Sequence, residues 1–113
     1  MAEKEDLQNK FQEFQLLQQR LALFATQKQQ LQLQLAELEH ALAELNSAKP
    51  PVYELVGEIL VEKSPENLKK SLQERKDDIE LRISAIEKQE NKTKEKAQEL
   101  QKELSEKLKL EKA

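Results

Sequence analysis

The sequence has no cysteine and no tryptophan, one glycine and three prolines among 113 residues, and only 4% of it is aromatic. Each scarcity removes a class of protein. Without cysteine there is no disulfide, no zinc–thiolate site and no thiol chemistry. With so little bulky apolar material beside 36% charged residues, a chain of this length cannot fill an ordinary globular core, so it is extended or oligomeric. A single glycine supplies no Gly-rich phosphate loop, and no apolar run approaches the length of a membrane span. The opening "MAEKEDLQNK" contains no apolar segment of the kind that directs secretion, so the expectation is a soluble, cytoplasmic protein. A net charge of −3 and a pI of about 5.4 argue against a nucleic-acid partner held through its phosphates, and no polybasic stretch suits a membrane surface. Proteins remain as the expected partners.

What is abundant is leucine at helical spacing. From about residue 4 to 48 a first helix carries Leu7, Phe14, Leu17, Leu21, Phe24, Leu31, Leu35, Leu38, Leu42 and Leu45, alternating three and four apart over most of its length, with Phe11 beside them. The "AKPP" that follows ends it, because proline cannot continue a helix and pushes the preceding residue toward extended geometry. A second helix begins at "SPEN", with Ser64 as N-cap, Pro65 as first helical residue and Glu66 in the first turn, and runs from about 65 to 111. It carries Leu68, Leu72, Ile79, Ile83, Ile86, Ala97, Leu100, Leu104 and Leu108. In an antiparallel pair the numbers of facing residues add to a constant. Leu42 with Leu68, Leu38 with Leu72 and Phe24 with Ile86 add to 110, and Phe14 with Ala97 and Leu7 with Leu104 to 111, so one register accounts for both ends. The predicted fold class is mainly α: one domain over residues 1–113, a long antiparallel two-helix coiled coil with a central β-hairpin. A parallel dimer would leave that hairpin as an awkward interruption.

The hairpin is "VYELVGEILV", Val52 to Val61, where seven of ten residues are apolar and four are β-branched. With Gly57 at the first central position of a two-residue turn, Val56 pairs with Ile59, Leu55 with Leu60 and Glu54 with Val61. One face then shows Val52, Val56, Ile59 and Val61, the other Tyr53, Leu55 and Leu60. Both are apolar, and the end of a two-helix coil covers one at most. A lone hairpin is not stable in water, so other chains are expected to add strands to a shared sheet or barrel across Val52, Tyr53, Leu55, Val56, Ile59, Leu60 and Val61. The alternative is a cap on a monomer.

The stretches "QLLQQRLALFATQKQQLQLQLAELEHALAEL", "VYELVGEILVEKSPENL" and "ERKDDIELRISAIEKQENK" together resemble the β-type subunit of prefoldin over almost the whole chain. The resemblance implies assembly of two α-type and four β-type subunits through their hairpins into a double β-barrel. From it hang six coiled coils whose tips hold unfolded polypeptide and pass it to a group II chaperonin without ATP. The single hairpin fits the β type, since α-type subunits carry two.

The seam adds its own indication. From Lys88 to Glu99 eleven of twelve residues are polar, yet the predicted register sets them opposite Phe14, Leu17 and Leu21. The distal coil is therefore expected to be underpacked and apolar, a client-binding tip formed by Leu7, Phe11, Phe14, Leu100, Leu104 and Leu108. Lys28, at a core-type position opposite Ile83, is expected to snorkel out of the seam and help set the register. The acidic clusters around Asp6 and Asp78 read as solvated helix faces, and His40 has no second ligand, so no metal and no cofactor is expected. No nucleophile lies beside a base, so an enzyme is not expected. A tethering coiled coil without clients would show a well-packed seam to both ends and need no apolar hairpin, and a nucleic-acid-binding arm would need a basic stripe that is missing.

Overall fold

The computed structural model describes the backbone of residues 2–112 and the side chains of residues 3–109. The order is α1 (Ala2–Ser47), β1 (Val52–Val56), β2 (Ile59–Lys63) and α2 (Pro65–Lys112). Neither Gly nor Pro interrupts the 46 residues of α1, and Ser47 turns its hydroxyl back onto the Glu44 carbonyl, 3.3 Å away, just before the proline pair. At the start of α2 the Ser64 hydroxyl accepts the Asn67 N–H at 3.2 Å, and the Ser64 carbonyl accepts the first helical bond from Leu68 at 3.0 Å. That is the N-cap the sequence predicts, with Pro65 as first helical residue and Glu66 in the first turn.

The two strands pair antiparallel in the predicted register, Val56 with Ile59, Leu55 with Leu60 and Glu54 with Val61, and pairing continues outward to Val52 with Lys63. Gly57 has a φ of +63° and no other residue of the turn is left-handed, as a type II′ turn requires. A side chain at Gly57 would meet open space, so the backbone conformation alone demands the glycine.

The chain divides into two compact units. One, Gln29–Ser84, holds the hairpin and the flanking turns of both helices. Its core is Leu45, Val52, Leu68 and Leu72, with Leu38, Ala41 and Leu42 against them. Each such side chain contributes roughly 1.5–3 kcal/mol when fully buried. Val52, expected on the assembly surface, is thus only 9% exposed and serves the coil instead. The reason is the pleat: Val52 shares a strand face with Glu54, and that end of the face turns toward the helices, while Tyr53 and Leu55 point the other way. Glu54 anchors the same edge, with one carboxylate oxygen 2.9 Å from Lys63 Nζ and the other 3.0 Å from Arg75 of α2.

The second unit joins residues up to Lys28 with those from Ala85 onward. Its helices are antiparallel, as the pairs Asp6–Lys107, Lys10–Glu103 and Lys28–Glu90 show. Here the expectation of an underpacked seam fails. Leu17 is 6% exposed, Ala97 4% and even Glu90 7%. Counting three and four from Leu7 explains this, because the seam of α1 is Leu7, Lys10, Phe14, Leu17, Leu21, Phe24 and Lys28, and every one is at least half-buried. On α2 the same count selects Glu90, Thr93, Ala97, Leu100, Leu104 and Lys107. The polar run is polar mostly on its outer side, and Lys28 meets the Glu90 carboxylate at 3.0 Å.

Candidate functional site

At the tip the heptad pattern places lysines, Lys10 and Lys107, where apolar seam residues are usual. Their ammonium groups are drawn to carboxylates: Lys10 lies 2.9 Å from Glu103 and 3.6 Å from Asp6, and Lys107 lies 3.0 Å from Asp6. The hydrogen bond from Lys107 and the nearby charge of Lys10 hold the Asp6 carboxyl below its ordinary value, and the bond to Glu103 raises Lys10 above its own. This exposed network links the helix ends by charge where large apolar side chains would otherwise have interlocked.

Beside this network lies an open groove. Leu7, Phe11, Phe14, Leu104 and Leu108 line a concavity of about 680 Å³, with Gln8, Gln12, Gln101 and Ser105 at its borders. The lining is mostly carbon. Phe11 is 53% exposed and Leu108 49%, Leu7 and Phe14 are half-buried, and Leu104, 8% exposed, forms the floor. Five of the six tip residues singled out in the sequence therefore meet in one place. The sixth, Leu100, sits half-buried on the seam and does not line the groove. Leu108, placed on the seam by the sequence reading, lies one residue past it, because Lys107 takes the seam position. The two lysines were missed, and strict counting of the heptad from Leu7 would have found them.

The hairpin carries the second surface. Leu55, Ile59 and Leu60 are each about two-thirds exposed, Tyr53 and Val56 just over half, and Val61 39%. Six apolar side chains thus stand in water on a two-stranded sheet whose edges are open among the described residues. Patches of this kind mark interaction sites, and unpaired strand edges add a template for further strands. Glu54 keeps this sheet oriented on α2, and its carboxyl is held below the ordinary value first by Lys63 and then by Arg75.

His40 is exposed and 3.8 Å from Glu44. Asp78 pairs with Arg82 at 3.2 Å on the outside of α2. No helix among the described residues is long and apolar enough to cross a membrane.

The family model for prefoldin subunits matches residues 6–111. The prefoldin subunit beta of Archaeoglobus fulgidus is 39% identical over 100 residues, covering 87% of this chain and 86% of that protein. That of Thermococcus kodakarensis is 39% identical over 85 residues, covering 74% of this chain and 73% of the relative. The crystal structure of the prefoldin beta subunit from Thermococcus strain KS-1 superimposes with a TM-score of 0.85 at 33% identity, covering 91% of this chain and 92% of that one. With two long helices around one antiparallel hairpin, and matches over nearly its whole length, this chain belongs to the prefoldin subunit family.

Proposed function

We propose that the chain is the β-type subunit of a cytoplasmic, non-enzymatic holdase that assembles through its hairpin with α-type subunits and further β-type copies, two α and four β. In this reading the coil tips hold unfolded polypeptide without ATP and pass it to a group II chaperonin. The observation that carries the reading is the tip groove, where Phe11 and Leu108 stand exposed over a floor of Leu104. A tethering coil gains nothing from such an arrangement. An unfolded chain offers short apolar segments of varied shape, and an open, shallow, mostly aliphatic groove accepts many of them weakly. Weak contacts repeated on several coils of one particle add up by effective concentration.

A photoreactive side chain at Phe11 tests this directly. In the presence of a denatured test protein it is expected to cross-link to that protein, whereas the same group at Leu81, an exposed leucine of the other unit, is not. Equal labelling from both positions would mean that the groove has no special role.

A further inference from the structure

The outer surfaces of the two helices in the distal unit are of opposite kinds. On α2 the line farthest from the seam reads Lys88, Lys92, Glu95, Glu99, Lys102 and Glu106, all charged and all exposed. The equivalent line on α1 reads Asn9, Gln12, Leu16, Gln19, Leu23 and Thr26, all exposed and none charged. In a chain with 36% charged residues this asymmetry needs a physical account. Solubility does not supply one, because the outer face of a free coil is where charges are least costly and most useful. Leu16 and Leu23 are 56% and 55% exposed, and the Thr26 hydroxyl is turned back to the Ala22 carbonyl at 3.1 Å. None of the side-chain hydrogen bonds among the described residues engages the amides of Gln12 or Gln19.

The line is continuous with the groove, since Gln12 belongs to both and Leu16 follows one helical turn later. We infer that the outer face of α1 from Gln12 to Leu23 is a lengthwise extension of the tip groove, which holds the backbone of an extended, unfolded polypeptide leaving that groove. The inference rests on the holdase reading above. A glutamine amide both donates and accepts hydrogen bonds, as a peptide group does, so it pairs with an extended backbone whatever the side chains. The leucines add contact area. The line itself carries no charge, and the exposed Glu13 and Arg20 that flank it are of opposite sign and add no net charge. A net fixed charge would reject client segments of like sign, and a holder of many sequences must not discriminate by charge. The charged face of α2 is correspondingly the side left to solvent.

The test measures binding of two permanently unfolded probes, reduced carboxymethylated α-lactalbumin, which is acidic, and reduced lysozyme with blocked thiols, which is basic. The full chain in its assembled state is compared with Leu16→Glu/Gln19→Glu/Leu23→Glu and with the matching triple Lys variant. Glu and Lys are good helix formers and the positions are exposed, so helix content, checked by circular dichroism, is preserved. Each variant is expected to bind the probe of like charge about tenfold more weakly than the probe of opposite charge, a gap that closes at high salt. A control with Asn91→Glu and Gln98→Glu, on the α2 side, is expected to show no such gap. Equal gaps from both helices, no gap at all, or a change in particle mass on substituting the α1 face would overturn the inference. Phe11→Ser/Leu108→Ser is run alongside and is expected to weaken both probes equally. If it weakens neither, the holdase reading fails, whereas failure of the charge gap alone removes only the extension.

Discussion

At the scale of single residues, the distal unit turns on where charge enters the seam. Glu90 is 7% exposed and its carboxylate meets Lys28 at 3.0 Å, with Lys94 4.0 Å away, so removing Lys28 leaves a buried carboxylate with only that more distant partner. Lys28→Ala is expected to destabilise the chain by about 2–3 kcal/mol, and the double replacement Lys28→Leu/Glu90→Leu to recover that loss or exceed it. Urea unfolding of the four members of the cycle measures both. Acid acts on the tip network in a direction fixed by its cause. The Asp6 carboxyl lies below its ordinary value of 3.8 because Lys107 and Lys10 favour the ionised form. Its contribution is therefore complete above about that value and fades as pH falls through the depressed one. Amide protection near Asp6 and Lys107, taken relative to the intrinsic exchange rate at each pH, is expected to fall below pH 3.8, while Asp6→Asn shows the lower protection already at neutral pH. An acid-insensitive tip would mean the network holds nothing.

Elements were legible in the sequence to different depths, and the differences have physical reasons. The helices, the N-cap of α2 and the hairpin register could be read because each depends on local chemistry: no breaker across α1, Ser64–Pro65 at the start of α2, Gly57 in the turn. Which side of an element a residue faces was harder. Composition made Lys88 to Glu99 look unable to pack, yet Glu90, Thr93 and Ala97 fall in phase with the seam and the rest turn outward. Phase, not polarity, decides burial on a helix. Val52 was misplaced for a related reason, since strand alternation gives two faces but does not say that one end of a face is taken by the coil. The five groove residues were read from Phe and Leu at seam-like spacing in the distal coil, although the expected reason for their exposure, an underpacked seam, does not hold. The place of Lys10 and Lys107 on the seam beside the groove was not read. The hairpin makes its own prediction. Leu55→Ser/Leu60→Ser removes two exposed apolar side chains from the face opposite Val52, each worth roughly 1.5–3 kcal/mol if buried by another chain. Sedimentation is expected to show smaller particles with helix content unchanged. An unaltered mass would reduce the hairpin to a cap.

For the whole molecule, the hairpin and the tip groove lie in separate compact units, so the proposed assembly and client-holding roles are expected to be separable by substitution. Single changes in the groove are expected to do little, because a shallow site repeated on several coils loses only a fraction of its many weak contacts. Several changes together are different. The most direct measurement is light scattering from a denatured test protein, aggregating in the presence of particles of matched mass, with Leu7→Gln, Phe11→Ser and Leu108→Ser combined in the chain. Phe11 and Leu108 are about half exposed and Leu7 half-buried, so helix content and assembly are expected to persist. The account predicts that the triple variant leaves aggregation as fast as in buffer, with or without ATP, while the original particle suppresses it. Equal suppression by the two particles would contradict the account, since the groove would then hold no part of the client.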